Sequence, residues 1–517
     1  MGKTYDMAKH KIPKNLKPTL WIMAVLLLLV AVAQIIFGQQ VKAALARDIP
    51  GNLALTYGNR STNVLLGKIA LEDLALRTKD GTMDLRAKRL VISGLRYLPL
   101  LQKGNFTLAR LELEAPHLYF RKPKMDTLGD PSKKKLPPKI AIAKVQVDQG
   151  HLEIFREGSE SILTKIEHID LQLGDLSMNG NPGFPIVYGL HSLKTQKGFL
   201  DLGRFEVLQW QRLEVDTLQG HILNMQFHTK YGIGELSQKL AKERDHYDLW
   251  VDSLSMGHPV FSPGASPARL HISQLGIYRP EFQVYRDKLL PDDTTHKKLY
   301  NQALRDLELD LRVDTIAISG GSIAYRERLD ADVEPERLSF TDISAGIYNL
   351  HNKGKGPVEV DIAAQLMGSG PLTLDWSFDP ADKGNAFVAR ASLLDFDTRD
   401  ISPFLRSNLN SEVQGRIDRL YFTISGHELE SLGDIKMDYG EFDFVVLKKD
   451  RSGVNKLLTA VVNLFAKDGG KDDVDGFRHG TFKVKRNTDR SFFNYLWINL
   501  KAGLVNTLTG KGHKEKK

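Results

Sequence analysis

The chain has no cysteine among its 517 residues. That absence excludes a disulfide scaffold, thiolate zinc sites, iron–sulfur ligation and cysteine nucleophiles. Long apolar runs are almost as scarce. One stretch, Leu20 to Phe37, reaches 18 residues and no other approaches it, so there is material for one membrane span. The motifs of common chemistries are missing too. There is no His-Glu-x-x-His, no Gly-x-Ser-x-Gly, no Gly-x-Gly-x-x-Gly after a strand and no phosphate loop. Fifteen histidines are scattered without ligand spacing. Asp395, Asp397 and Asp400 resemble part of a calcium loop but lack its glycine and final Glu. Asp245, His246 and Asp248 read as a loop cluster rather than a metal site. The expectation is a chain that is not an enzyme, with no catalytic residues, no metal and no cofactor.

Positive charge is scarce outside three short segments. The formal net charge is +8, yet residues 1–18, 121–139 and 501–517 carry +4, +5 and +4. The other 463 residues therefore carry −5. The basic loop at 121–139 lacks interleaved aromatics, and nucleic acid would have to lie outside the cytoplasm, which argues against that partner.

What is present begins with the apolar run. As a helix, Leu20 to Phe37 would be about 27 Å long, close to the bilayer's hydrocarbon thickness of about 30 Å. Gln34 is its one clearly polar residue. Trp21 stands at its start, where indole rings favour the headgroup boundary. Lys3, Lys9, Lys11, Lys14 and Lys17 precede it. By the positive-inside rule those lysines stay in the cytoplasm and the chain after Gly38 lies on the far side. Trp21, Leu26, Leu29, Ile35 and Phe37 are the expected anchor residues. A cleaved signal peptide is the competing reading, with an Ala-x-Ala pattern at Ala44 to Ala46. Against it stand the length of the run and Lys42.

Beyond residue 50 apolar residues mostly alternate, as in Leu85-Arg-Ala-Lys-Arg-Leu-Val-Ile-Ser and Glu167-His-Ile-Asp-Leu-Gln-Leu. Period two with polar partners predicts half-buried strands. One unit recurs four times, apolar at offsets 0, 2, 5, 7, 12 and 14. The copies begin at Phe106, Ile140, Leu270 and Leu311. Offset 10 is Pro116, Gly150, Pro280 or Gly321, and Arg121, Arg156, Arg286 or Arg326 closes each copy. The unit reads as a hairpin: a strand with a bulge after offset 2, a turn at offset 10, then a second strand. Each hairpin has one apolar face. That face is either covered, as in a β-sandwich, or left open as a groove, and periodicity does not separate the two.

Helical spacing is seen at Thr294 to Leu307 and Gly453 to Ala466. Ser491 to Leu504, rich in aromatics and followed by a basic tail, reads as a final buried strand or as an amphipathic segment touching a membrane or partner. Phe492, Phe493, Tyr495 and Trp497 are its candidate contacts. The expected organisation is a basic tail (1–18), an anchor (19–38), a first β segment (39–130), a Pro/Lys-rich loop (131–139), a repeated β region (140–450) and a C-terminal helix/strand segment with a basic tail (451–517).

Residues 66–121 resemble the opening of AsmA-like proteins. They contain Gly67-Lys-Ile-Ala-Leu-Glu-Asp-Leu-Ala-Leu, then Leu85 to Ile92, then a corner at Leu100, Leu101 and Gly104. A strand closing on Pro116 and Leu118 follows. The resemblance implies an inner-membrane anchor, a periplasmic body in a Gram-negative bacterium, and a long, twisted, mostly antiparallel repeat sheet. It implies a U-shaped groove carrying phospholipid toward the outer membrane, with a few short covering helices. On that reading Phe106, Leu108, Ile140, Ile142, Leu270, Ile272, Ile316, Ile318 and Ile323 line the groove. The partners are phospholipids, the inner membrane, and outer-membrane or other envelope proteins. The alternative is an anchored interaction protein with a closed β-core that aids outer-membrane protein assembly.

Overall fold

A computed structural model describes residues 17–47, 53–97, 106–121, 140–178, 186–262, 265–446 and 475–509. Side chains of residues 17–26 and 43–47 lie outside that description, as do the candidate helix at 453–466 and the loop at 131–139. The chain is mainly β, and among the described residues 22 strands belong to a long mixed sheet. It divides into two compact units, Met1–Leu193 and Lys194–Lys517.

In the first unit, helix α1 (Lys17–Arg47) precedes β1 (Leu53–Thr56), β2 (Arg60–Asn63), β3 (Lys68–Thr78) and β4 (Met83–Ser93). Next come β5 (Phe106–Glu114), β6 (His117–Arg121), β7 (Ile140–Phe155) and β8 (Ile162–Met178). Strands β1 and β2 both pair with β3, and β3 with β4, all antiparallel. Strand β4 pairs with β5 and β6, which in turn run parallel to β7. Strand β8 is antiparallel to β7.

The unit boundary falls inside β9 (Ile186–Asp201). The second unit continues with β10 (Glu206–Asp216), β11 (Gln219–Thr229), helix α2 (Ile233–Lys239), β12 (Asp245–Gly257), β13 (Val260–Ser262) and β14 (Ala268–Asp287). Helix α3 (Tyr300–Arg305) leads to β15 (Leu309–Arg328), β16 (Arg337–His351), β17 (Val358–Leu366), β18 (Gly370–Phe378) and β19 (Phe387–Asp397). Helix α4 (Ser402–Leu409), β20 (Ser411–Gly426), β21 (Glu430–Val446), β22 (Arg478–Lys485) and helix α5 (Phe492–Thr509) complete it. From β15 to β22 every neighbour is antiparallel, whereas β14 and β15 are parallel.

Three expectations need correction. First, a repeat copy is not a hairpin. Copies three and four are unbroken strands, β14 and β15, and copy two is β7; only copy one is interrupted, between β5 and β6. At offset 9, just before the Pro or Gly, stands a residue with left-handed backbone: Ala115, Gln149, Arg279 and Gly320. The ladder shifts register beside it, at Gly150 in β7 and at Gly321 in β15. Offset 10 is thus the second half of a bulge, a place where a strand accepts proline because no ladder N–H is needed.

Second, the segment expected as a final strand is a helix from Phe492 onward. Helix α5 packs on β21 and β22. Phe492 and Tyr495 are buried, stacking or abutting Trp376, Phe387 and Tyr300. They are core residues, not surface contacts, whereas Phe493 is 69% exposed and Trp497 half-buried. The helix sits close because Gly480 and Gly503 line the seam, where an added Cβ would meet Thr507 and Phe482.

Third, the helical reading of Thr294 to Leu307 contracts to the six residues of α3; its N-cap Leu299 and its Leu304 join the core beside α5.

The run Leu20 to Phe37 falls inside α1, a helix of 31 residues and about 46 Å. Among the described residues no helix is long and apolar enough to cross a membrane. Side chains on α1 are described from Leu27 to Lys42, so Trp21 and Leu26 lie outside. Leu27, Leu28, Leu29, Val32, Ile35 and Ile36 are exposed, while Phe37 and Val41 are buried.

Candidate functional site: the apolar face of the repeats

The four copies pair two by two, in parallel and offset for offset. Phe106 faces Ile140, Leu108 faces Ile142, Leu111 faces Val145 and Leu113 faces Val147. Leu118 faces Leu152 and Phe120 faces Ile154. In the second unit Leu270 faces Leu311, Ile272 faces Val313, Leu275 faces Ile316, Ile277 faces Ile318 and Phe282 faces Ile323. Matching offsets place like against like, so each pair doubles the apolar face instead of alternating it.

The phase slip expected after offset 2 is present. Offsets 2 and 5 share one apolar cluster in each unit, although an odd number of residues separates them. Leu108, Ile142 and Val145 form one; Ile272, Val313 and Ile316 form the other. The antiparallel neighbour absorbs the slip with a left-handed residue, Asp175 opposite β7 and Asn349 opposite β15. Asn and Asp tolerate that conformation better than most side chains.

Burial grades along each copy. Offset 2 is buried in all four copies (Leu108, Ile142, Ile272, Val313) and offset 5 in two (Val145, Ile316). Offsets 7 and 14 are half-buried, Ile318 among them, as are Ile140 and Leu270 at offset 0. The ends open to solvent at Phe106 (41% exposed) and Ile323 (39%). The partners that bury the centre are sheet neighbours. In the first unit they are Ile92, Leu95, Leu111, Ile140, Leu173 and Leu176. In the second, Met256, Ile347 and Leu350 join. Among the described residues no helix lies over either cluster. Sequence reading missed Met256, Ile347 and Leu350 because they lie on strands outside the repeat; alternation along β12 and β16 is the signal that finds them.

In the second unit the same face is closed farther along. Ile347 and Leu350 also touch the large core of β17 to β22, where α3 and α5 supply Leu299, Phe492 and Tyr495. Helix α4 adds a smaller cluster against Tyr325 and Leu338. One end of the face is charged. Arg286, the closing arginine of copy three, makes a bidentate pair with Asp245 at 2.6 and 2.7 Å. Burial, with Asp245 nearby, pushes the Tyr247 phenol up to about 12. Burial and Glu327 raise the Tyr325 phenol well above its ordinary range. Both phenols stay neutral in water at any physiological pH. In copy one, Arg121 reaches Glu160 at 2.8 Å and lies over the Phe155 ring.

The polar groups considered for chemistry are engaged structurally. Asp395 pairs with Arg416, and Asp397 caps a short turn through the Arg399 amide. Asp400 accepts from Ser369. Asp245 holds Arg286, and a His246 ring nitrogen lies 2.9 Å from the Tyr231 carbonyl. His117 and His151 are cross-strand partners with stacked rings. Among the described residues no group of three His, Asp or Glu could hold a metal ion. The arrangement offers apolar area with a charged pair at one end.

Compared with known proteins, the chain matches no family model and no curated sequence.

Proposed function

We propose that this chain is an AsmA-like lipid carrier, anchored in the inner membrane by α1, with its sheet in the periplasm. The single observation that carries the reading is that, in each unit by itself, the paired apolar side chains run from a buried centre to a solvent-exposed position, Phe106 in the first and Ile323 in the second, with no helix over the two central clusters among the described residues. Apolar side chains left open to water are costly where they cluster and mark a surface for an apolar partner. Acyl chains fit it: each buried methylene contributes about 0.8 kcal/mol. The bulges beside offset 9 fit the curled sheet that the resemblance implies, because bulges bend a sheet locally. Phospholipid headgroups would stay at the open slit while tails move along the apolar floor toward the outer membrane.

Quantitative lipid extraction tests this. The full chain, purified in a detergent that is not a phospholipid, should carry bound diacyl phospholipid. A folded chain free of phospholipid would contradict the proposal.

A specific observation favours the second reading, an anchored interaction protein with a closed β-core that serves envelope assembly. Among the described residues, α5 and the segment at α3 pack on the apolar face of β17 to β22. On the lipid reading this covered region is where the apolar floor ends.

A further inference from the structure

The turn between β2 and β3 exposes two leucines, Leu65 (72%) and Leu66 (60%), among the described residues. It is also tied to α1. The Gln34 amide works as one more rung on the edge of β2: its Oε1 accepts from the Val64 amide at 2.6 Å and its Nε2 donates to the Thr62 carbonyl. The Arg60 guanidinium donates to the Gly38 carbonyl. Phe37 meets Tyr97 edge to face, and the Tyr97 hydroxyl donates to the Val64 carbonyl at 2.7 Å.

These contacts set a direction. Arg60 lies beside Gly38, and Thr62 and Val64 lie beside Gln34. Strand β2 therefore runs back along α1 toward the apolar run, and Leu65 follows at the level of Gln34 or deeper. Gln34 is three residues, about 4.5 Å, inside the end of that run at Phe37. Three of the turn's four amides have protein partners among the described residues, so little of its backbone is left bare. The Leu66 amide donates to Asn63 Oδ1 at 3.1 Å, the Gly67 amide to the Val64 carbonyl at 3.2 Å, and the Val64 amide to Gln34. Each amide paired within the protein lowers the cost of bringing the turn against the leaflet's acyl boundary.

We infer that the Val64–Gly67 turn is a bilayer-inserted tip, with Leu65 and Leu66 among the acyl chains of the leaflet from which α1 emerges. This rests on the anchored reading above and deepens it: the sheet begins inside the leaflet, where lipid enters. The polar residue of the anchor is then a docking group that joins the helix to the sheet edge, with its hydrogen bonds made to protein rather than left in lipid.

The absence of cysteine makes the test clean. The full chain carrying Leu66→Cys or, as control, Lys79→Cys is labelled with an environment-sensitive dye and reconstituted into phosphatidylethanolamine/phosphatidylglycerol vesicles. Residue 79 sits in the turn at the opposite end of β3. The dye at 66 should emit at shorter wavelength and lose most of its emission to acyl-chain spin-labelled lipids, while the dye at 79 keeps its emission. A chain that floats with vesicles but shows no more quenching at 66 than at 79 overturns the inference and leaves the anchor standing. A chain that does not float overturns the anchored reading, and the tip with it.

Discussion

Phe492→Ala will destabilise the C-terminal unit by about 3–5 kcal/mol, whereas Phe493→Ala beside it will change stability by less than about 0.5 kcal/mol. The Phe492 ring stacks on Trp376 at 4.9 Å and meets Phe387 at 5.1 Å and Tyr300 at 5.5 Å edge to face. Truncation leaves a cavity walled by three aromatic rings that cannot collapse onto alanine. Phe493 points to solvent. Guanidinium unfolding of the two variants reads the difference. Equal midpoints would mean that α5 is not seated on the sheet as described. The comparison also separates the core role of Phe492 from a membrane-contact role, which would make Phe493 the costlier loss in vesicles and neither costly in solution.

The second large effect lies on the apolar face. Ile316 is buried with Ile272 and Val313, so Ile316→Asp places a carboxylate in a site with no partner. The cost is several kcal/mol and the unit unfolds on either functional reading. Ile323, seven residues along the same strand, is substantially exposed. Ile323→Asp can keep its charge hydrated, so thermal unfolding should stay close to the parent. Bound phospholipid should nevertheless fall by about half or more, because a charge now sits on the acyl path. Parental lipid content in a folded Ile323→Asp chain would place that position off the path. The useful pair is thus set by burial: the central positions report on folding and the terminal ones on binding.

Much of this was legible in the amino-acid order. Alternation located the strands, and the recurring offsets located four equivalent segments. What the repeat does with itself was not legible. A Pro or Gly within a strand pattern fits a turn or a bulge equally well, and the choice depends on the partner strand. Here the partner is another copy, running parallel, so the strand continues through Pro280 and Gly321. Helix α5 was hidden for a different reason. Its buried stripe is Phe492, Tyr495, Asn499, Gly503 and Thr507, helical in spacing but polar or small in three of five places. Asn499 is satisfied by the Tyr495 carbonyl and Ser431, and Thr507 by the Gly503 carbonyl. A hydrophobic period search passes over such a stripe, and the aromatics in Phe-Phe-Asn-Tyr-Leu-Trp-Ile read as strand propensity. The docking role of Gln34 needed the fold outright, because its partners, Thr62 and Val64, lie 28 and 30 residues away.

The central claim is that acyl chains occupy the apolar face of the paired repeats. Photo-crosslinking residues placed in the full-length membrane-embedded chain at Phe106 and Ile323, and on the opposite face at Thr107 and Gln274, address it most directly. Irradiation followed by mass spectrometry should give phospholipid adducts from positions 106 and 323 and few from 107 and 274. Adducts confined to 107 and 274, or none at any of the four in a folded chain, would contradict the account.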